Sequence, residues 1–94
     1  MHARVTTVQV SPDTADEGIR QVQNEVIPAA RQQKGFNGGF WLADRQTGKV
    51  LAITLWETEA DMQASEEMAA RTRSQVTGVI TEPIVERYEV VAKA

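Results

Sequence analysis

The feature that most constrains the fold is a pair of apolar, β-prone runs in the middle of the chain, joined by a polar turn. The first contains Phe36, Phe40, Trp41, Leu42 and Ala43, the turn is Arg45-Gln46-Thr47-Gly48-Lys49, and the second runs from Val50 to Trp56. Two such runs joined by a short Gly-containing turn read as a β-hairpin. Each run carries one of the chain's two Trp residues. Val50-Leu51-Ala52-Ile53-Thr54-Leu55-Trp56 hardly alternates between apolar and polar, so this strand expects burial on both faces.

The flanking segments extend the pattern. Residues 3–10 are rich in β-branched side chains and read as a first strand, stopped by Ser11-Pro12-Asp13. Asp13 or Thr14 can cap a helix, with Asp16 and Glu17 near its positive N-terminal end. Ile19, Val22, Val26, Ile27 and Ala30 give that helix one apolar face, and Pro28 should kink it by removing the hydrogen bond to the Asn24 carbonyl. Gly35 follows Lys34 as a stop. Beyond the hairpin, Thr58-Glu59-Ala60-Asp61 resembles a capping box and opens a second helix reaching about residue 74. Residues 75–82, with Gly78, form a connection, and Pro83 opens a last strand over 83–91.

The order β-α-β-β-α-β is a split βαβ arrangement, a single ferredoxin-like α+β domain over residues 1–94 with an antiparallel four-stranded sheet. With both helices on one face, the other face needs cover. The simplest cover is a second copy, so a homodimer through the sheet face is expected. A chain of 94 residues has a thin core and gains from such association.

Composition narrows the chemistry. There is no Cys, which removes disulfides, thiolate metal sites and thiol nucleophiles. One His, His2, rules out His-cluster metal sites and argues against a Ser-His-Asp relay. Ten basic and 13 acidic residues are interspersed, for a net charge of −3, so neither nucleic acid nor an anionic membrane is expected as partner. No apolar run reaches the ~20 residues of a membrane span. Met1-His2-Ala3-Arg4 has no apolar signal-peptide core, which makes a cytoplasmic location the expectation.

Three residue-level features together resemble the antibiotic biosynthesis monooxygenase-like family: the placement of Pro28, Gly35-Phe36-Asn37-Gly38 after the first helix, and Leu55-Trp56-Glu57-Thr58 followed by Ala60 and Asp61. The resemblance implies a homodimeric α/β barrel with helices outside. It also implies cofactor-independent, metal-free oxidation of an aromatic, polyketide- or quinol-like small molecule. The alternative is a non-catalytic small-ligand-binding or structural homodimer of the same fold. Trp56 matches the Trp that lines the pocket in the family. The polyketide-oxidising members carry Asn four residues before that Trp and Tyr six after, where this chain has Ala52 and Met62. Haem-degrading members place an axial His on the second helix, and this chain has none there.

The candidate site therefore takes Trp56, Met62, Met68 and Thr54 as substrate-binding residues for a small apolar or aromatic ligand, and Tyr88, the sole phenol, as the proton-handling residue. Each also has a plain structural reading. Trp56 either stacks on a ligand or fills a thin core. Met62 and Met68 are adaptable fillers of core or pocket. A buried Tyr usually hydrogen-bonds a neighbouring backbone or carboxylate group. Trp41 packs at the dimer face or over the hairpin, or else meets a ligand. Gly38-Gly39 marks a bulge or a close backbone approach. Arg71 and Arg73 suit the negative end of the second helix, and Arg71 offers a possible anion contact.

Overall fold

Four strands form one antiparallel sheet: β1 (His2–Gln9), β2 (Phe36–Ala43), β3 (Lys49–Trp56) and β4 (Ile84–Glu89), in the order β2-β3-β1-β4. They belong to a computed structural model that describes residues 1–76 and 78–94. The predicted 75–82 connection includes Thr77, which lies outside the described residues. The two central strands are β1 and β3, paired from His2↔Trp56 to Gln9↔Lys49.

The hairpin forms where expected because its turn organises itself. The Asp44 carboxylate accepts from the backbone N–H of Gln46 (2.9 Å) and Thr47 (3.3 Å), and the Gly48 N–H donates to the Asp44 carbonyl (2.8 Å). Gly48 adopts φ +80°, and a Cβ there would run into the Val10 carbonyl oxygen, so only glycine fits. The register of β2 against β3 shifts between Phe36 and Gly39, which is the bulge read from Gly38-Gly39.

The first helical segment is more broken than its sequence suggests. A 3₁₀ turn (Pro12–Thr14) leads into α1 (Ala15–Gln21), a π-helical turn (Val22–Val26) and α2 (Ile27–Arg31). Thr14 does not accept a capping bond; its hydroxyl donates back to the Ser11 carbonyl at 3.1 Å. The π turn lies just before Pro28, and the Ile27 N–H reaches back five residues to the Val22 carbonyl. A wider turn there accommodates a proline that has no N–H and whose ring crowds the Asn24 carbonyl. The second segment is α3 (Glu59–Ala64) and α4 (Glu66–Ser74), divided at Ser65. The Thr58 hydroxyl accepts from the Asp61 N–H at 3.0 Å, as the capping box requires.

Alternation along the strands gives the sheet two unlike faces. Thr6, Val8, Val50, Ala52 and Trp41 face the helices. Leu51, Ile53 and Leu55 of β3 point the other way, beside Phe40, Leu42, Ile84 and Tyr88, which are between 47% and 61% exposed. The apolar β3 does serve both faces, but the helix-free face of the single chain is open. The buried core is small: Ala3, Val10, Ala30, Trp56, Met62 and Ala69. Buried Arg4, Thr6, Thr54 and Ser65 join it, and among the described residues no buried side-chain polar atom lacks a hydrogen-bond partner.

Candidate functional site

Between the sheet and the helices lie two adjoining spaces. The larger, about 280 Å³, is bounded by β1, β2 and β3 below and by α1, the π turn and the end of α4 above. Ile19, Val22, Val26, Val8, Val50 and Trp41 make most of its wall apolar. The smaller, about 60 Å³, continues along the sheet to Arg4, Thr54, Trp56 and Met68. Thr6, Val26, Trp41, Ala52, Thr72 and Arg73 line both, so Trp41 and Arg73 stand at the junction.

The larger chamber exists because the residues that meet there are small or β-branched. Ala15 and Gly18 on α1 face Ala43, Gly48 and Ala52 on the hairpin, and the thin layer between them leaves space that larger side chains would fill. At its edge Arg45 of the hairpin turn pairs with Asp16 of α1 at 2.5 Å. That bond is the first reason the Asp16 carboxyl stays below its usual range.

Behind the smaller chamber is a charged network. Arg4 is 3% exposed, and its Nη1 donates to the Met62 carbonyl (3.2 Å) and the Ser65 hydroxyl (3.0 Å). Glu66 lies 3.5 Å away on the same nitrogen. Arg87 of β4 grips Glu66 with two bonds, Nε to Oε1 at 2.6 Å and Nη2 to Oε2 at 3.0 Å. The Arg87 hydrogen bond is the largest influence holding the Glu66 carboxyl below its ordinary range. Burial lowers the pKa of Arg4, and the charge of Glu66 partly restores it. Arg73 is likewise lowered first by burial, with Glu66 opposing.

The structure gathers some of the predicted site residues and separates others. Trp56, Thr54 and Met68 meet at the smaller chamber. Trp56 has no exposed surface: its indole N–H donates to the Thr54 hydroxyl at 3.0 Å, and Phe36 packs edge-on with ring centroids 5.5 Å apart. Met62 is buried behind this wall and lines neither chamber. Tyr88 lies across the sheet from both chambers, half exposed, with its hydroxyl donating to Glu86 at 2.9 Å. That bond is the main reason its pKa is raised. Its place follows from register, since Tyr88 pairs with Ala3 whereas the neighbouring Arg87 pairs with helix-facing Arg4.

Trp41, read as a ligand contact only as one alternative, borders the space, as do Thr72 and Arg73, which were not read as ligand contacts. The signal for the last two was the helical period: Ala69 lies four residues beyond Ser65, and Thr72 and Arg73 lie three and four beyond Ala69. Arg71, by contrast, is exposed and pairs with Glu67 at 3.6 Å. Among the described residues no group of three or more His, Asp or Glu side chains is placed to hold a metal, and no helix is long and apolar enough to cross a membrane.

The strand order, the antiparallel pairing and the layer of helices on one face define a ferredoxin-like α+β fold with an apolar cavity between its layers. A family model described as antibiotic biosynthesis monooxygenase matches residues 1–77, and the chain belongs to that family. Similar solved structures include a monooxygenase from the ActVA-Orf6 gene of Streptomyces coelicolor in complex with nanaomycin D. It has a TM-score of 0.78 and 19% identity, over 99% of this chain and 89% of that one. Another is the haem degrader MhuD of Mycobacterium tuberculosis with two haems in its active site, with a TM-score of 0.78 and 19% identity, over 100% and 99%. At these identities the likeness is one of fold. Among curated proteins, the uncharacterized Rv2557 of M. tuberculosis H37Rv is 36% identical over 93 residues, and Rv2558 is 39% identical over 75. The matches take in 98% and 80% of this chain but 42% and 32% of those proteins, so the chain spans less than half their length.

Proposed function

We propose that the protein binds a small planar apolar or aromatic molecule in the Trp41 chamber and oxidises it with dioxygen without a bound cofactor, acting as a cytoplasmic homodimer. The observation that carries this reading is the apolar space of about 280 Å³ between sheet and helices. A dry cavity of ~150 Å³ already holds a benzene, so there is room for a fused bicyclic or tricyclic ring system. Membership of the antibiotic biosynthesis monooxygenase family supports this reaction class.

In such chemistry the substrate supplies the electrons. An anthrone-type methylene and one dioxygen become a carbonyl and one water, so the protein has to position the ring, exclude bulk water and favour loss of a proton. Trp41 offers the flat surface for the ring, and Ile19, Val22 and Val8 exclude water. The predicted pocket residues Trp56, Thr54 and Met68 receive the inner end of the molecule. Met62 acts behind them by fixing Arg4 through its carbonyl. Tyr88 lies on the dimer-forming face in this reading, and proton loss relies on the guanidinium groups nearby to lower the acidity barrier.

Ala52 supports a second reading, a non-catalytic ligand-binding dimer, because it brings no polar group to either chamber that it lines. Oxygen uptake with a panel of anthrone-type compounds decides between them. Oxidation above the buffer rate that falls in Trp41→Ala supports the oxygenase. Binding with no oxygen uptake leaves the second reading, and neither binding nor uptake removes both.

A further inference from the structure

We infer that the ligand carries an anionic oxygen group on its aromatic body and that Arg73, backed by Arg4, receives this group in the smaller chamber. The inference rests on the cavity reading above and adds the charge of the ligand to it. The charge balance around the chamber comes first. Three guanidinium groups, Arg4, Arg73 and Arg87, act on one carboxylate, Glu66. Both Glu66 oxygens are already engaged, Oε1 by Arg87 and Oε2 by Arg87 and Arg4. Among the described residues the Arg73 side chain makes no hydrogen bond or ion pair, although it is only partly exposed and borders both chambers. A partly buried cation with no bonded counter-ion is costly, and an incoming anion reduces that cost.

Size and lining agree with charge. The smaller chamber, about 60 Å³, matches about two water volumes, enough for a carboxylate and too little for a second ring. Both chambers are mainly apolar; what sets the smaller one apart is Arg4 and Thr54, which line it alone, beside Arg73, which borders both. A ligand with an apolar ring system at one end and an anionic oxygen group at the other therefore matches both parts at once. Helix polarity alone does not account for Arg73, because Arg71 in the same turn already serves that end from an exposed position.

The test compares 2-naphthoate with 2-naphthamide, which share shape and differ in charge, by isothermal titration at neutral pH. The wild-type protein is expected to bind the acid at least about tenfold more tightly than the amide. Arg73→Gln should reduce that preference to within about twofold, chiefly through weaker binding of the acid, and Arg73→Lys should keep part of it. Arg71→Gln, the same charge change on an exposed neighbour, should keep all of it. Equal wild-type affinities for acid and amide would overturn the inference and leave the cavity reading standing. A preference that persists in Arg73→Gln would also overturn it. Binding of neither probe would defeat the cavity reading and the inference with it. The wild-type comparison decides even if the Gln variant fails to fold.

Discussion

The guanidinium carbon of Arg4 lies 5.3 Å from the centroid of the Trp56 ring, reaching diagonally from β1 to β3 where the register pairs Arg4 with Thr54. A cation on the face of a fully buried indole, with hydrogen bonds to Met62 and Ser65, ties the sheet to the junction of α3 and α4. This contact sets the floor of the smaller chamber.

Arg4→Ala should therefore lower stability by about 3 kcal/mol, since it removes a buried hydrogen-bonded charge and leaves space beneath Trp56. Arg4→Met, which keeps the stem packing, should cost about 1 kcal/mol. Urea unfolding followed by circular dichroism measures both. A loss below about 0.5 kcal/mol for Arg4→Ala would show that the contact contributes little.

Trp41 borders both chambers and is partly exposed, whereas Trp56 has no exposed surface. Acrylamide should accordingly quench one Trp population and leave the other nearly untouched. Trp41→Phe should remove the quenchable population, and 2-naphthamide should protect it in the wild type. Quenching that survives Trp41→Phe undiminished would place the accessible indole at Trp56 instead.

Phe40 is 61% exposed on the helix-free face and sits opposite Ile53. Phe40→Glu should leave the folded single chain intact, because the side chain is not in its core, while placing a charge where a second copy would pack. Light scattering at micromolar concentration should give a dimer mass for the wild type and half that mass for the variant. A wild-type monomer would remove the reason for the substitution.

Glu66 is held below its ordinary pKa, chiefly by Arg87. A depressed carboxyl contributes stability that is fully present above its unfolded-state pKa and disappears as pH falls through the folded-state value. Urea midpoints should thus decline from about pH 5 downward. Glu66→Gln should be less stable at pH 7 and show a shallower decline. Asp16 and Asp44, also depressed, will keep some slope in the variant. An unchanged slope in Glu66→Gln would mean that the Glu66 pairs add nothing to folding.

Much of the fold was legible along the chain because its signals are local. Gly48 after Asp44, the capping hydroxyl of Thr58 and the double glycine at 38 and 39 specify turn, helix start and bulge through bonds between near neighbours. The break at Val22–Val26 was visible only as the presence of Pro28, since the chain can meet a missing N–H by a kink or by a wider turn.

The site was less legible for a different reason. Trp41 and Trp56 are alike in composition and neighbourhood, and both point to the helix side of the hairpin. What separates them is the layer above. Arg4 and Phe36 close over Trp56, and the small residues Ala15 and Gly18 leave room along the sheet beside Trp41. Likewise Tyr88 and Arg87 are adjacent in sequence, yet pairing with β1 sends one to each face. The sequence by itself determined the elements, their order and the need to cover an apolar sheet, because periodicity and turn chemistry act over a few residues. Only the tertiary structure decided which tryptophan borders the larger chamber and which arginine is left without a bonded carboxylate, because both depend on contacts between residues far apart in the chain.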